Sequence, residues 1–211
     1  MPTQPYDAIA VFGSQLTATG KFPDYVYNEI DYAVGLLDDG AASTLVFCGS
    51  HALKHGLQGR RECEVAAEYL GDHHPGHLPR LRKEARSTSI PEKWLFTKTG
   101  YPDLHRIHVV TIEPLLPRIR FLGNWIYGDE GELSFTALPW PNDAFSDEPR
   151  LLQDAECALT VRGIPVRGTS EHEPMARGDH RRLLNEDGSS RWDEIRRDHY
   201  ECDKYGGLHH P

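Results

Sequence analysis

The chain is 211 residues long, with 38% hydrophobic and 26% charged side chains, a balance that excludes a disordered or fibrous polymer and suits one globular unit with a sizeable core. Its 32 acidic residues outnumber its 23 basic ones, and the net charge of −9 opposes phosphate backbones and anionic lipid heads. General nucleic-acid or membrane-surface binding is excluded on that ground. No apolar run approaches the roughly 20 residues of a membrane span, and MPTQPYDAIAVFGSQ has no basic stretch leading into an apolar one. Cys48, Cys63, Cys157 and Cys202 form no C-x-x-C pair, so neither a zinc ribbon nor a thioredoxin-type motif is expected; a chain this long needs no disulfide framework, and a reducing cytoplasm is the simplest compartment.

In chain order, Ala8 to Phe12 (AIAVF) is the first predicted strand. Gly13-Ser14-Gln15 follows it, and a glycine there lets the backbone turn sharply and present N–H groups to a polar or anionic ligand. Tyr25, Ile30, Ala33, Val34 and Leu37 recur at helical spacing and mark a helix that ends at Gly40. Thr44 to Cys48 (TLVFC) is the second strand. It runs into Gly49-Ser50-His51, where a nicotinamide-binding fold would place an acid for the ribose hydroxyls; G-x-G-x-x-G is absent as well, and a standard NAD enzyme is disfavoured.

Glu62 to Leu70 (ECEVAAEYL) predicts a second helix, stopped by Gly71, and Leu78 to Arg82 a short strand. The loop Arg82-Lys83-Glu84-Ala85-Arg86-Ser87-Thr88-Ser89 then packs charge and hydroxyls where a strand gives way to the helix Pro91 to Thr99. Capping that helix needs one hydroxyl of the three, so Ser87, Thr88, Ser89, Glu84 and Arg86 are candidate ligand-facing groups. The fourth strand, Ile107 to Thr111 (IHVVT), brings Thr111 and Glu113 to the same edge. Arg118 follows in the first turns of the helix Leu115 to Tyr127, within reach of a carboxylate or phosphate over the strand ends. Leu133 to Leu138 is a fifth strand and Arg150 to Thr160 a fifth helix.

Apolar strands alternating with helices predict an α/β, Rossmann-like doubly wound fold: a mostly parallel five-stranded sheet with helices on both faces over residues 1–162. Residues 163–211 are polar and glycine-punctuated, an extension wrapped on the core, with a short helix around Arg191 to His199 docked by Trp192, Ile195 and Tyr200. In such a sheet ligands sit at the carboxyl ends of the strands. Arg82, Lys83, Arg86 and Arg118 would make those ends locally positive on an acidic body.

Together these segments resemble the YdcF/SanA/ElyC family, bacterial domains of largely unknown function, from about Tyr6 to Leu138. Arg61 to Leu70 (RECEVAAEYL) is similar to the family's Ser-Glu-Ala helix, with Glu62 at the characteristic acid. Gly49-Ser50 is similar to its Ser-Gly-Gly, Glu84 with Ser87 and Glu92 to its Glu, Ser and Glu, and Val110-Thr111 with Pro117-Arg118 to its Val-Thr and Pro-Arg. The chain departs from that pattern at Leu115, where the family has His, at Ile90 (Thr), at Lys93 (Asn) and at Glu29 (Arg). The resemblance implies a Rossmann-like sheet, the cytoplasmic branch that lacks a membrane anchor, and S-adenosylmethionine or a nucleotide as ligand.

Twelve histidines suggest a metal, but His73, His74 and His77 sit in a Gly/Pro turn, and a metal site needs further ligands and an outer shell. No metal is expected. His51, directly after the second strand, is the candidate replacement for the missing family histidine. The leading reading is an enzyme acting on a small nucleotide-like or adenosyl molecule bound across Gly13 to Gln15, Gly49 to His51 and Glu84 to Ser89. Glu62, Glu84 and His51 are its catalytic candidates, and group transfer or phosphate or pyrophosphate hydrolysis its reaction, for which Glu84 with Glu113 would supply the only carboxylate pair at the strand ends. The alternative is a catalytically silent ligand-sensing or partner-docking module. A thiol enzyme using Cys48 or Cys63 is disfavoured, because both fall on apolar elements.

Overall fold

The structure, a computed structural model, describes residues 5–14, 16–50, 60–140, 164–165, 172–173, 177–178, 180–192 and 194–195. Five parallel strands form the sheet: β1 (Ala8–Phe12), β2 (Leu45–Cys48), β3 (Leu81–Glu84), β4 (Arg106–Ile112) and β5 (Glu132–Leu138), in the order β3-β2-β1-β4-β5. Helices α1 (Asp24–Asp38), α2 (Glu62–His73), α3 (Ile90–Gly100) and α4 (Leu116–Tyr127) make the crossovers. The chain order reverses between β1 and β4, which places the switch point beside the central strand.

Side chains of β1 alternate between two cores, as strand geometry requires. Ala8, Ala10 and Phe12 join α3 and α4 on one face; Ile9 and Val11 join α1 and α2 on the other. The sheet is therefore doubly wound, as expected from its uniformly apolar central strands. From Pro91 to Thr97 every residue of α3 is buried, because α4 and the sheet flank it together. Trp94 fixes the spacing of that pair. Its indole N–H donates to the Ile119 carbonyl at 3.0 Å, and a Cβ on Gly123 would stand 2.5 Å from its ring.

Two expected boundaries move. Helix α2 runs past Gly71 to His73, since one glycine weakens a helix by only about 1 kcal/mol. The stop comes from Pro75, which disfavours helical geometry at the residue before it; His74 leaves the helix at φ −137° and ψ 55°. The third strand begins at Leu81 rather than Leu78. Residues Pro75–Arg80 form a 3-10 turn, and Pro79 has no N–H to give a ladder. The fifth predicted helix, Arg150 to Thr160, lies outside the described residues.

Two short strands, β6 (Ile164–Pro165) and β7 (His172–Glu173), pair antiparallel. Leu183, Trp192 and Ile195 are buried in the α3/α4 core, and Trp192, Glu194 and Ile195 are helical; Tyr200 lies outside the described residues. No helix among the described residues is long and apolar enough to cross a membrane.

Candidate functional site

At the carboxyl edge of the sheet, β1 ends in Gly13-Ser14, β2 in Gly49-Ser50, and β3 in Glu84. Backbone hydrogen bonds tie these ends together. Gly13 N–H donates to the Cys48 carbonyl at 2.9 Å, Gly49 N–H to Glu84 at 3.0 Å, and Ser50 N–H to Ser87 at 2.9 Å. The first turn of α2 hangs from the same backbone: Glu62 and Cys63 donate to the carbonyls of Ser50 and Gly49. That anchoring swings the Glu62 side chain under both glycine turns. A Cβ on Gly13 would lie 2.7 Å from Glu62 Oε2, and one on Gly49 would lie 2.8 Å from Glu62 Cβ. Glycine here is a requirement of close approach.

The Lys93 ammonium projects from α3 into this space, donates to the Gly13 carbonyl, and stands 3.5 Å from Glu62 Oε2. Both side chains are 7% exposed. Glu29, on α1, is buried nearby: the Ile112 N–H donates to its carboxylate, and its Oε2 has no hydrogen-bond partner among the described residues. Among the described residues one ammonium, that of Lys93, acts on three buried carboxyls, those of Glu29, Glu62 and Glu84. Burial pushes the Glu62 carboxyl up to about 7 and those of Glu29 and Glu84 above the usual carboxylate range; Lys93 opposes the rise at all three. Tyr25 belongs to the same group. Its hydroxyl is hydrogen-bonded to Ser14, and burial, with Glu29 and Glu62 adding to it, pushes its pKa up to about 12.

The loop between β3 and α3 uses its carboxylates internally. Glu84 Oε1 accepts from the N–H groups of Arg86 and Ser87 at 2.7 and 3.1 Å, while Oε2 accepts from the Ser87 hydroxyl. Glu92 Oε2 accepts from Thr88 N–H and its hydroxyl, both at 2.8 Å, and from the Ser89 hydroxyl at 3.1 Å. All three loop hydroxyls are therefore engaged by the loop's own acids, more than helix capping alone requires. The exposed Arg86 guanidinium lies over the Phe96 ring at 4.0 Å.

Gly13, Ser14, Gly49, Ser50, Glu62, Glu84 and Ser87 converge; His51 and Gln15 lie outside the described residues. Thr111 is buried within β4, Glu113 is exposed beyond it, and Arg118 sits half-buried on α4. Glu84 and Glu113 do not form a carboxylate pair. They close strands three spacings apart, about 14 Å. Nor do Arg82 and Lys83 make the strand ends positive. Arg82 pairs with Asp103 at 2.8 Å, and Lys83 is an exposed residue of an edge strand. Among the described residues at this edge the buried cation is Lys93, which the loop composition did not suggest.

The histidine group disperses. His73 stacks on Tyr69 with ring centroids 4.2 Å apart, His74 contacts Asp31 at 2.8 Å, and His77 contacts Asp38 at 3.1 Å. Among the described residues no three His, Cys, Asp or Glu side chains are grouped to hold a metal ion. Cys48 and Cys63 are buried free thiols, both pushed by burial toward the protonated, unreactive form.

Set against known proteins, the chain matches no family model and no curated protein. Its likeness to the YdcF/SanA/ElyC family rests on the residues quoted above.

Proposed function

We propose that this protein binds a nucleotide-like or adenosyl small molecule at the carboxyl edge of its sheet and moves a proton on it through Glu62. The observation that carries this reading is the Glu62 environment: a carboxyl sealed beneath two glycine turns, paired with Lys93, and held near neutrality by burial. A general acid or base works best when its pKa lies close to the working pH, and Glu62 meets that condition. Lys93 would stabilise the ionised form after proton release. Glu84 and Glu92 are positioning residues in this scheme, because loop donors already occupy both oxygens of Glu84 and hold Glu92 through its Oε2. Group transfer and hydrolysis of a phosphate or pyrophosphate bond both fit these groups.

The same loop geometry favours a second reading. With Glu84 engaged and leucine at the family's histidine position, a ligand-sensing module without turnover is the alternative. Thermal-shift and calorimetric titrations with adenosine, S-adenosylmethionine and nucleotides, followed by assays on Glu62→Gln, separate the two. The enzyme reading expects a ligand that raises the melting temperature, and a variant that keeps affinity but loses turnover by about a hundredfold or more. Binding without any turnover by the native chain would select the sensing module; no binding at all would sink both.

A further inference from the structure

Beside the switch point, a cavity of about 250 Å³ opens between the first turn of α1 and the ends of β4 and β5. Its floor is apolar, formed by Ile112 and Leu138, and one side carries the rings of Tyr25 and Trp140, 4.9 Å apart and nearly perpendicular at 79°. Among the described residues that line it the only charged side chain is Asp24, and Asn28, one helical turn further on, presents an amide on the same side of α1.

We infer that this cavity is the subsite for a planar heteroaromatic ring bearing N–H donors, the base-like portion of the ligand proposed above. Size restricts the occupant: the volume falls below the roughly 300 to 1,000 Å³ of pockets that enclose whole drug-sized ligands, so it accepts one ring system and not an entire nucleotide. Charge restricts it further. The Asp24 carboxylate, with no cation among the described lining residues, rejects phosphate or a carboxylated ring and accepts from an amino group. Asn28 supplies one donor and one acceptor on a single planar group, which matches the edge of such a ring. Aromatic walls stack on any base because every base offers a π-face.

Tyr25 connects this cavity to the acid/base group. Its ring lines the cavity while its hydroxyl bonds Ser14 in the β1 turn, close enough to feel Glu62. A ligand whose ring occupies the cavity therefore directs the atoms attached to that ring along Tyr25 toward Ser14 and Glu62.

This inference rests on the proposed ligand class, and adenosine is the probe that separates the two. Calorimetric titration of the full chain is expected to detect adenosine but not benzoate. Asn28→Leu and Trp140→Ala each weaken adenosine binding by about tenfold or more, whereas Arg82→Gln, on the far edge strand, leaves it within about twofold. Asn28 is exposed, so its substitution does not test folding. Adenosine bound equally by the native chain and both cavity variants overturns the subsite but leaves the ligand class standing. Benzoate bound as well as adenosine overturns the ring chemistry. Failure of adenosine, S-adenosylmethionine and nucleotides alike overturns both.

Discussion

Because burial raises the Glu62 carboxyl from 4.5 to about 7, the folded chain holds a proton across that interval which the unfolded chain has released. The folded state binds more protons there, so this group's contribution to stability falls as pH rises from about 4.5 through 7. In full it amounts to about 3 kcal/mol. Urea unfolding at pH 5 and pH 8 is expected to show Glu62→Gln losing less stability between those values than the native chain. Gly49→Ala is expected to lower the urea midpoint by an amount equivalent to about 1 to 3 kcal/mol, since its methyl would meet the Glu62 side chain from the carboxyl tip in to Cβ at 2.8 Å, and moving the tip alone does not relieve that contact. Glu62 was legible in the sequence through the resemblance of Arg61 to Leu70 to the family's Ser-Glu-Ala helix. Lys93 and Glu29 were not. Each is a charged residue on a helix surface that turns inward, and the available signal was Glu29 standing at helical spacing beside Val26, Ile30 and Ala33.

At the scale of elements, the β3/α3 loop supplies its own order. Six hydrogen bonds onto Glu84 and Glu92 hold a stretch that its density of charge and hydroxyls singles out in the sequence. Glu92→Ala removes those of Thr88 and Ser89 at the start of α3 and is expected to cost about 1 to 2 kcal/mol, read from the shift of the urea midpoint at unchanged slope. Strands and helices were read closely where periodicity was strong, as in AIAVF and IHVVT. They slipped where proline decided the backbone, at Pro75 and Pro79, because the residue preceding a proline and the N–H it lacks outweigh local propensity. The hydroxyls of Ser87, Thr88 and Ser89 stand out in the sequence, but their bonds to Glu84 and Glu92 do not. Which acceptor a hydroxyl finds depends on where a distant carboxylate folds, and that is not a local property.

For the molecule as a whole, the doubly wound order follows from apolar strands alternating with helices, and the carboxyl edge as the place to look follows from that order. The C-terminal residues do more than trail from it. Trp192 is 2% exposed and Ile195 fully buried against the α3/α4 side of the sheet. Trp192→Ala is expected to cost about 3 to 5 kcal/mol and to lower the melting temperature by on the order of 10 °C in a calorimetric scan. Such a loss identifies the segment as part of the cooperative unit; a shift of a degree or less would mean that it docks without supporting the core.

A lone ammonium shared by carboxyls on α1, α2 and the end of β3 makes the order of substitution matter. Losing Lys93 first strands acids in a sealed space, and losing Glu62 first strands the ammonium beside the Gly13 carbonyl. Either intermediate is worse than the exchange of both partners, so these positions can drift only in concert.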